Sequence, residues 1–161
     1  MLTDYESIPE SSKVWIYPAS RKLYPQEIPE IKEKIETFLN KWTQQDETIL
    51  SKYALLYDRF IVVFTTDELV LKTETIDQLV AFILQLQKEY ELELLDKMNV
   101  CFKQGEHVQY KDLKSFKQLI KNRSVNRNTI VFDNRVATKN EFDHFWEIPA
   151  SESWYDNLFQ K

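Results

Sequence analysis

Phe60-Ile61-Val62-Val63-Phe64 is apolar at five successive positions, so a strand built from it is hydrophobic on both faces and belongs at the centre of a sheet. The run before it, residues 52–57, is also strand-like, and only Asp58-Arg59 separates the two. That spacing predicts a tight hairpin, even without the preferred Asn-Gly. Further upstream, Val14-Trp15-Ile16-Tyr17 is a short β-branched and aromatic run closed by Pro18, which reads as a strand. Between it and the hairpin, Ile28, Ile31, Ile35, Phe38, Leu39 and Trp42 recur at steps of three and four, which predicts a helix over 26–43. Pro25 and Pro29 stand where a first helical turn tolerates them.

Downstream, Thr75-Ile76-Asp77-Gln78 reads as a capping box opening a helix to about residue 89. Residues 98–103 suggest another strand, Gly105 a turn, and 107–110 a returning arm. A third helix is expected over 112–121, a strand over 129–132 and a last short helix over 139–146, ahead of Pro149. The order β-α-β-β-α-β followed by α-β-α predicts an α+β fold: a ferredoxin-like sandwich with a C-terminal extension. One domain over 1–161 is expected, with frayed ends at 1–12 and 157–161.

Composition narrows the chemistry. Gly105 is the single glycine among 161 residues. Phosphate-cradling loops need several, because only residues lacking Cβ let consecutive N–H groups close on an anion. That excludes the G-x-x-x-x-G-K-[ST], G-x-G-x-x-G and G-x-S-x-G patterns, so the chain is not an ATPase. With 43% hydrophobic residues the chain has ample material for a core. A net charge of −5 argues against a protein that coats nucleic acid as a whole. No apolar run approaches the roughly 20 residues of a membrane span. The opening Met1-Leu2-Thr3-Asp4-Tyr5-Glu6 is acidic where a secretory signal would be basic, and one cysteine, Cys101, allows no internal disulfide. A cytoplasmic location is the expectation, with no membrane partner.

Candidate site residues fall into four groups. Asp67 and Glu68 follow the central strand and Asp77 opens the second helix, so three carboxylates could share one sheet edge, to hold a cation or act as acid and base. The competing reading, which weighs more, makes Asp77 a helix-dipole partner and the other two turn residues. Arg21 could clamp a carboxylate or phosphate through its planar fork, or pair with one of those acids. Lys111, Lys114, Lys117 and Lys121 form a stripe extended by Arg123 and Arg127, with Asp112 the single acid in 111–127. The stripe fits a phosphate backbone or an acidic partner, and equally a solvated helix face. Trp146, Trp154, Tyr155 and Phe159 make the C-terminal region aromatic, suited to closing the core or to self-association. His107, His144 and Cys101 have no zinc-ligand spacing, and no metal or cofactor is expected. Cys101, between Val100 and Phe102, reads as an inert buried thiol.

Several segments resemble a family of small uncharacterised bacterial proteins often labelled "ABC transporter ATPase". They are residues 14–23, Phe38-Leu39 with Trp42-Thr43, Tyr57-Asp58-Arg59-Phe60, Asp67-Glu68, Ile76-Asp77, Leu95-Asp96, Val131-Phe132 with Asn134, and Ser153-Trp154. The label is a propagated error by the glycine argument. Where the family pattern has Ser-Gly-Cys-Ser before Ile-Asp, this chain has Lys72-Thr73-Glu74-Thr75, so thiol chemistry there lacks its thiol. The family's Asp-Arg pair appears as Asp96-Lys97, which loses bidentate geometry. The resemblance implies an architecture and carries no activity.

The function expected from these residues is a non-catalytic cytoplasmic binding domain for a protein partner or a second copy, with Trp154, Tyr155, Lys114 and Lys117 as interaction residues. The alternative is a small-molecule binder or enzyme with Arg21, Asp67, Glu68, Asp77 and Asn134 around one polar cleft. A weaker alternative is nucleic-acid binding through 111–127.

Overall fold

A computed structural model describes residues 1–66 and 69–159. In chain order the elements are β1 (Val14–Pro18), α1 (Glu27–Lys41), β2 (Thr43–Gln44), β3 (Glu47–Thr48), β4 (Ser51–Leu56), β5 (Phe60–Thr65), α2 (Thr73–Tyr90), β6 (Val100–Gln104), β7 (His107–Lys111), α3 (Leu113–Lys121), β8 (Ile130–Phe132), α4 (Lys139–Phe145) and β9 (Glu147–Pro149). Three 3-10 turns, at Tyr5–Ser7, Ala150–Glu152 and Trp154–Phe159, complete the described chain.

The fold is α+β, built on antiparallel sheets. The first sheet has the order β1-β5-β4, with the all-apolar β5 in the middle as its sequence requires. Its residues alternate between two cores. Ile61 and Val63 face α1 and α2, while Phe60, Val62 and Phe64 face a second sheet, β7-β6-β8-β9. The other face of that second sheet, carrying Val100, Phe102, Val131 and Ile148, is covered by Phe116 of α3 and by Tyr155 of the tail. Four layers result: helices, sheet, sheet, then helix with tail. β2 and β3 form a separate two-stranded hairpin.

The order β1-β5-β4 is that of the first half of a ferredoxin-like sandwich. The strand after the second helix would complete that sandwich by pairing with β1. Here β6 pairs with β7 and β8 instead. Val100, Cys101 and Phe102 of β6 are all buried, so this strand can be the interior of its own sheet.

Local chemistry departs from expectation in instructive places. The β4–β5 hairpin turns on Tyr57 and Asp58, both left-handed (φ 56° and 53°), one residue earlier than Asp58-Arg59. No capping box opens α2. The helix begins at Thr73, two residues before Thr75, whose hydroxyl donates to Gln44 Oε1 at 2.7 Å. The capping box that exists is Thr138 with Glu141, at the start of α4. Residues 1–12, expected to fray, are docked: the Met1 amino group donates to the Leu39 and Ile49 carbonyls at 2.7 Å, and Ile8 is buried. Lys139 Nζ holds the same segment through the carbonyls of Tyr5 and Ile8, at 3.0 and 2.8 Å. No helix among the described residues is long and apolar enough to cross a membrane.

Candidate functional site

The polar cleft anticipated around Arg21 does not assemble. Arg21 forms a bidentate pair with Glu27 (2.9 and 3.0 Å), donates to the Tyr90 carbonyl at 2.7 Å, and stacks over Tyr24. The pair raises the Arg21 pKa and lowers that of Glu27, chiefly through their mutual hydrogen bonds. Arg21 thereby closes the C-terminal end of α2, whereas Asp77 lies near its other end and is exposed. Thirteen residues of helix separate Asp77 from Tyr90, about 20 Å of rise, too far for one drug-sized pocket. Asp67 and Glu68 lie outside the described residues.

Asn134 is somewhere else again, in the core between the sheets. Its Oδ1 accepts from Trp146 Nε1 at 2.9 Å, and its Nδ2 lies 3.5 Å from Cys101 Sγ. Burial pushes the Cys101 thiol up to about 12, so it stays protonated and inert at neutral pH. Maleimide labelling at pH 8 is therefore expected to proceed only as fast as the protein opens. Labelling on mixing, in the absence of denaturant, would contradict this placement.

The aromatic tail closes a core. Tyr155 is buried against Phe116, with ring centroids 5.5 Å apart, and its hydroxyl pKa is raised to about 12, mainly by burial. Tyr155 is therefore unavailable as an interaction residue. Trp154 is exposed beneath the Arg135 guanidinium. Lys114 and Lys117 are exposed on α3, and no described carboxylate lies within ion-pair distance of either.

An apolar concavity lies on the outer helical layer, which periodicity alone did not single out. α1 and α2 are neighbours whose opposite ends meet: Glu30 accepts from the Tyr90 hydroxyl at 3.0 Å, while Trp42 Nε1 donates to the Thr75 carbonyl at 3.0 Å. The helices are therefore antiparallel, and a groove of about 680 Å³ runs between them. Its floor is Phe38, Trp42, Phe82 and Leu86, with Phe38 and Phe82 stacked at 4.6 Å and nearly coplanar (8°). Thr37, Gln78 and Gln85 edge the middle. At one end Lys34 bridges the helices by pairing with Glu89 and donating to the Tyr90 hydroxyl at 2.8 Å. Those bonds raise its pKa, so it is a fixed cation at physiological pH.

Phe38 and Phe82 sit at the margin of their helices' apolar stripes. Such residues read as core in a sequence, and only the helix-helix geometry distinguishes a groove floor from an interior. Compared with known families, curated proteins and solved structures, the chain matches no family model, no curated protein and no solved structure.

Proposed function

We propose that this chain is a non-catalytic binding domain that docks an amphipathic helical segment of a partner protein in the groove between α1 and α2. The observation that carries the reading is the stacked Phe38–Phe82 floor, half-buried and flanked by polar residues. From Glu30 to Trp42 the groove follows twelve residues of α1, about 18 Å or three turns of an occupant. That length suits a helix presenting apolar side chains at i, i+3 or i+4, and i+7. Glu33 and Lys41 on the rim give such a helix both signs of charge to match. The likeness to the bacterial family and a cytoplasmic setting belong to the same proposal, and the single free, buried thiol of Cys101 is in keeping with the setting.

A double variant, Thr37→Arg with Gln85→Arg, tests it. Both positions are exposed, so stability should change by no more than about 0.5 kcal/mol. Affinity of the double variant for a helical partner that the wild-type groove docks should fall at least tenfold. Retention of affinity would remove the groove from the account.

A second reading rests on α3. Lys114 and Lys117 lack ion-pair partners among the described residues, which leaves a cationic face for an acidic protein or a nucleic acid. Charge reversal of both residues separates the two readings. If it abolishes binding while the groove variant does not, the α3 reading prevails. A steep salt dependence of that binding would point to nucleic acid.

A further inference from the structure

We infer that the cavity at the turn end of the β4–β5 hairpin is a binding site for a small-molecule oxyanion, a carboxylate or a phosphate, with Arg59 as its anchoring cation. Arg59 is 9% exposed, yet among the described residues its guanidinium makes a single hydrogen bond, a long one from Nη1 to the Ala19 carbonyl at 3.5 Å. No described carboxylate lies within ion-pair distance of it. A guanidinium carries five donors and does not escape burial by losing its proton. A shielded cation with no counter-ion, whose remaining donors still reach solvent, is open to acceptors supplied by a bound molecule. Burial is the main influence on Arg59 and acts to lower its pKa.

Arg59 lines a cavity of about 400 Å³, within the size range of metabolite sites. The same wall carries Lys22, His107 and Gln109, which add further polar groups around a bound oxyanion. Asp58 and Glu106 also line it. Glu106 is exposed and Asp58 half-buried, so water and salt screen their fields more than that of Arg59. Arg59 is thus the most buried charge in the cavity, and the more exposed lining is mixed in sign, an arrangement that takes a small anionic head group against Arg59. The two acids in the lining disfavour a large polyanion such as a nucleic-acid backbone.

The test uses inorganic phosphate and succinate as probes, at constant ionic strength set with chloride. Melting of the wild-type protein should shift upward with one or both probes, and which of them acts identifies the head group. Arg59→Met, close in volume and uncharged, should melt in chloride at or above the wild type and bind the effective probe at least tenfold more weakly. Lys22→Gln, on the exposed rim, should weaken probe binding while leaving the chloride melting point unchanged. That variant keeps the test open if Arg59→Met fails to fold. The inference is overturned if neither probe shifts the wild type, if Arg59→Met keeps the full shift, or if Lys22→Gln binds as the wild type does.

Discussion

Phe60→Ala is expected to destabilise the protein by about 3–5 kcal/mol, the range for truncating a buried phenylalanine that leaves a cavity behind. Phe60 is fully buried where the two sheets meet, with ring centroids 4.8 Å from Phe132 and 5.0 Å from Trp146. Phe132 belongs to β8 and Trp146 follows α4, so one side chain joins the first sheet to elements more than 70 residues away. For a chain of this size the loss corresponds to a melting temperature lower by roughly 6–20 °C. Thermal and urea unfolding would measure it. A loss under about 1 kcal/mol would mean that the sheets are not packed face to face through this residue.

Gln44→Ala should cost roughly 1–3 kcal/mol, because it strands the buried Thr75 hydroxyl and removes two further hydrogen bonds to backbone groups ahead of α2. Gln44 is 6% exposed; its Nε2 donates to the Val70 carbonyl at 2.9 Å, and its Oε1 accepts from Lys72 N and Thr75 Oγ1, each at 2.7 Å. This one amide does for the first turn of α2 what a local cap would otherwise do. Gln44→Glu should fall between wild type and alanine, since a carboxylate accepts both bonds but cannot donate to Val70. Hydrogen exchange should quicken first at Thr75 and Ile76. The damage should also reach the groove, because Trp42 in its floor donates to the Thr75 carbonyl. An alanine variant as stable as wild type, with α2 exchange unaltered, would remove Gln44 from this role.

The elements legible in the sequence were those whose signal is local. Periodicity placed α1 and α2, and apolar, β-branched or strand-like runs bounded by turn residues placed β1, β4 and β5 to within a residue or two. The glycine turn at Gly105 (φ +62°) joins β6 to β7 as a two-residue loop should. The partition into two sheets was not legible. Val100-Cys101-Phe102 is apolar on both faces, and such a strand fits the edge of β1 or the interior of a second sheet equally well by pattern. β9 escaped because Glu147–Pro149 is three residues long and ends in proline. The Thr75-Gln78 pattern misled because the helix already begins at Thr73, which makes Thr75 a first-turn residue whose hydroxyl donates to Gln44 Oε1 instead of standing at the cap. Thr138-Lys139-Asn140-Glu141 carried the same signature and was the true cap.

Candidate site residues were least legible, since convergence is a tertiary property. Arg21 found Glu27, six residues on, rather than the acids proposed for it, and the 18-residue length of α2 separates it from Asp77. Asn134 went to the interior because Trp146 needs an acceptor for its indole N–H there. Arg59 stood in plain view within the hairpin turn, but nothing local marks an arginine as buried without a counter-ion.

The proposed docking of a helix in the α1–α2 groove is open to a cross-linking measurement. A photo-crosslinking residue at Gln85, on the groove edge, tests it most directly, with the same residue at Asn122 beyond α3 as a control. Crosslinks are expected from position 85 to one amphipathic helical segment of a partner protein, and none from position 122. Crosslinks from position 122 alone, or equal yields from both positions, would contradict that docking.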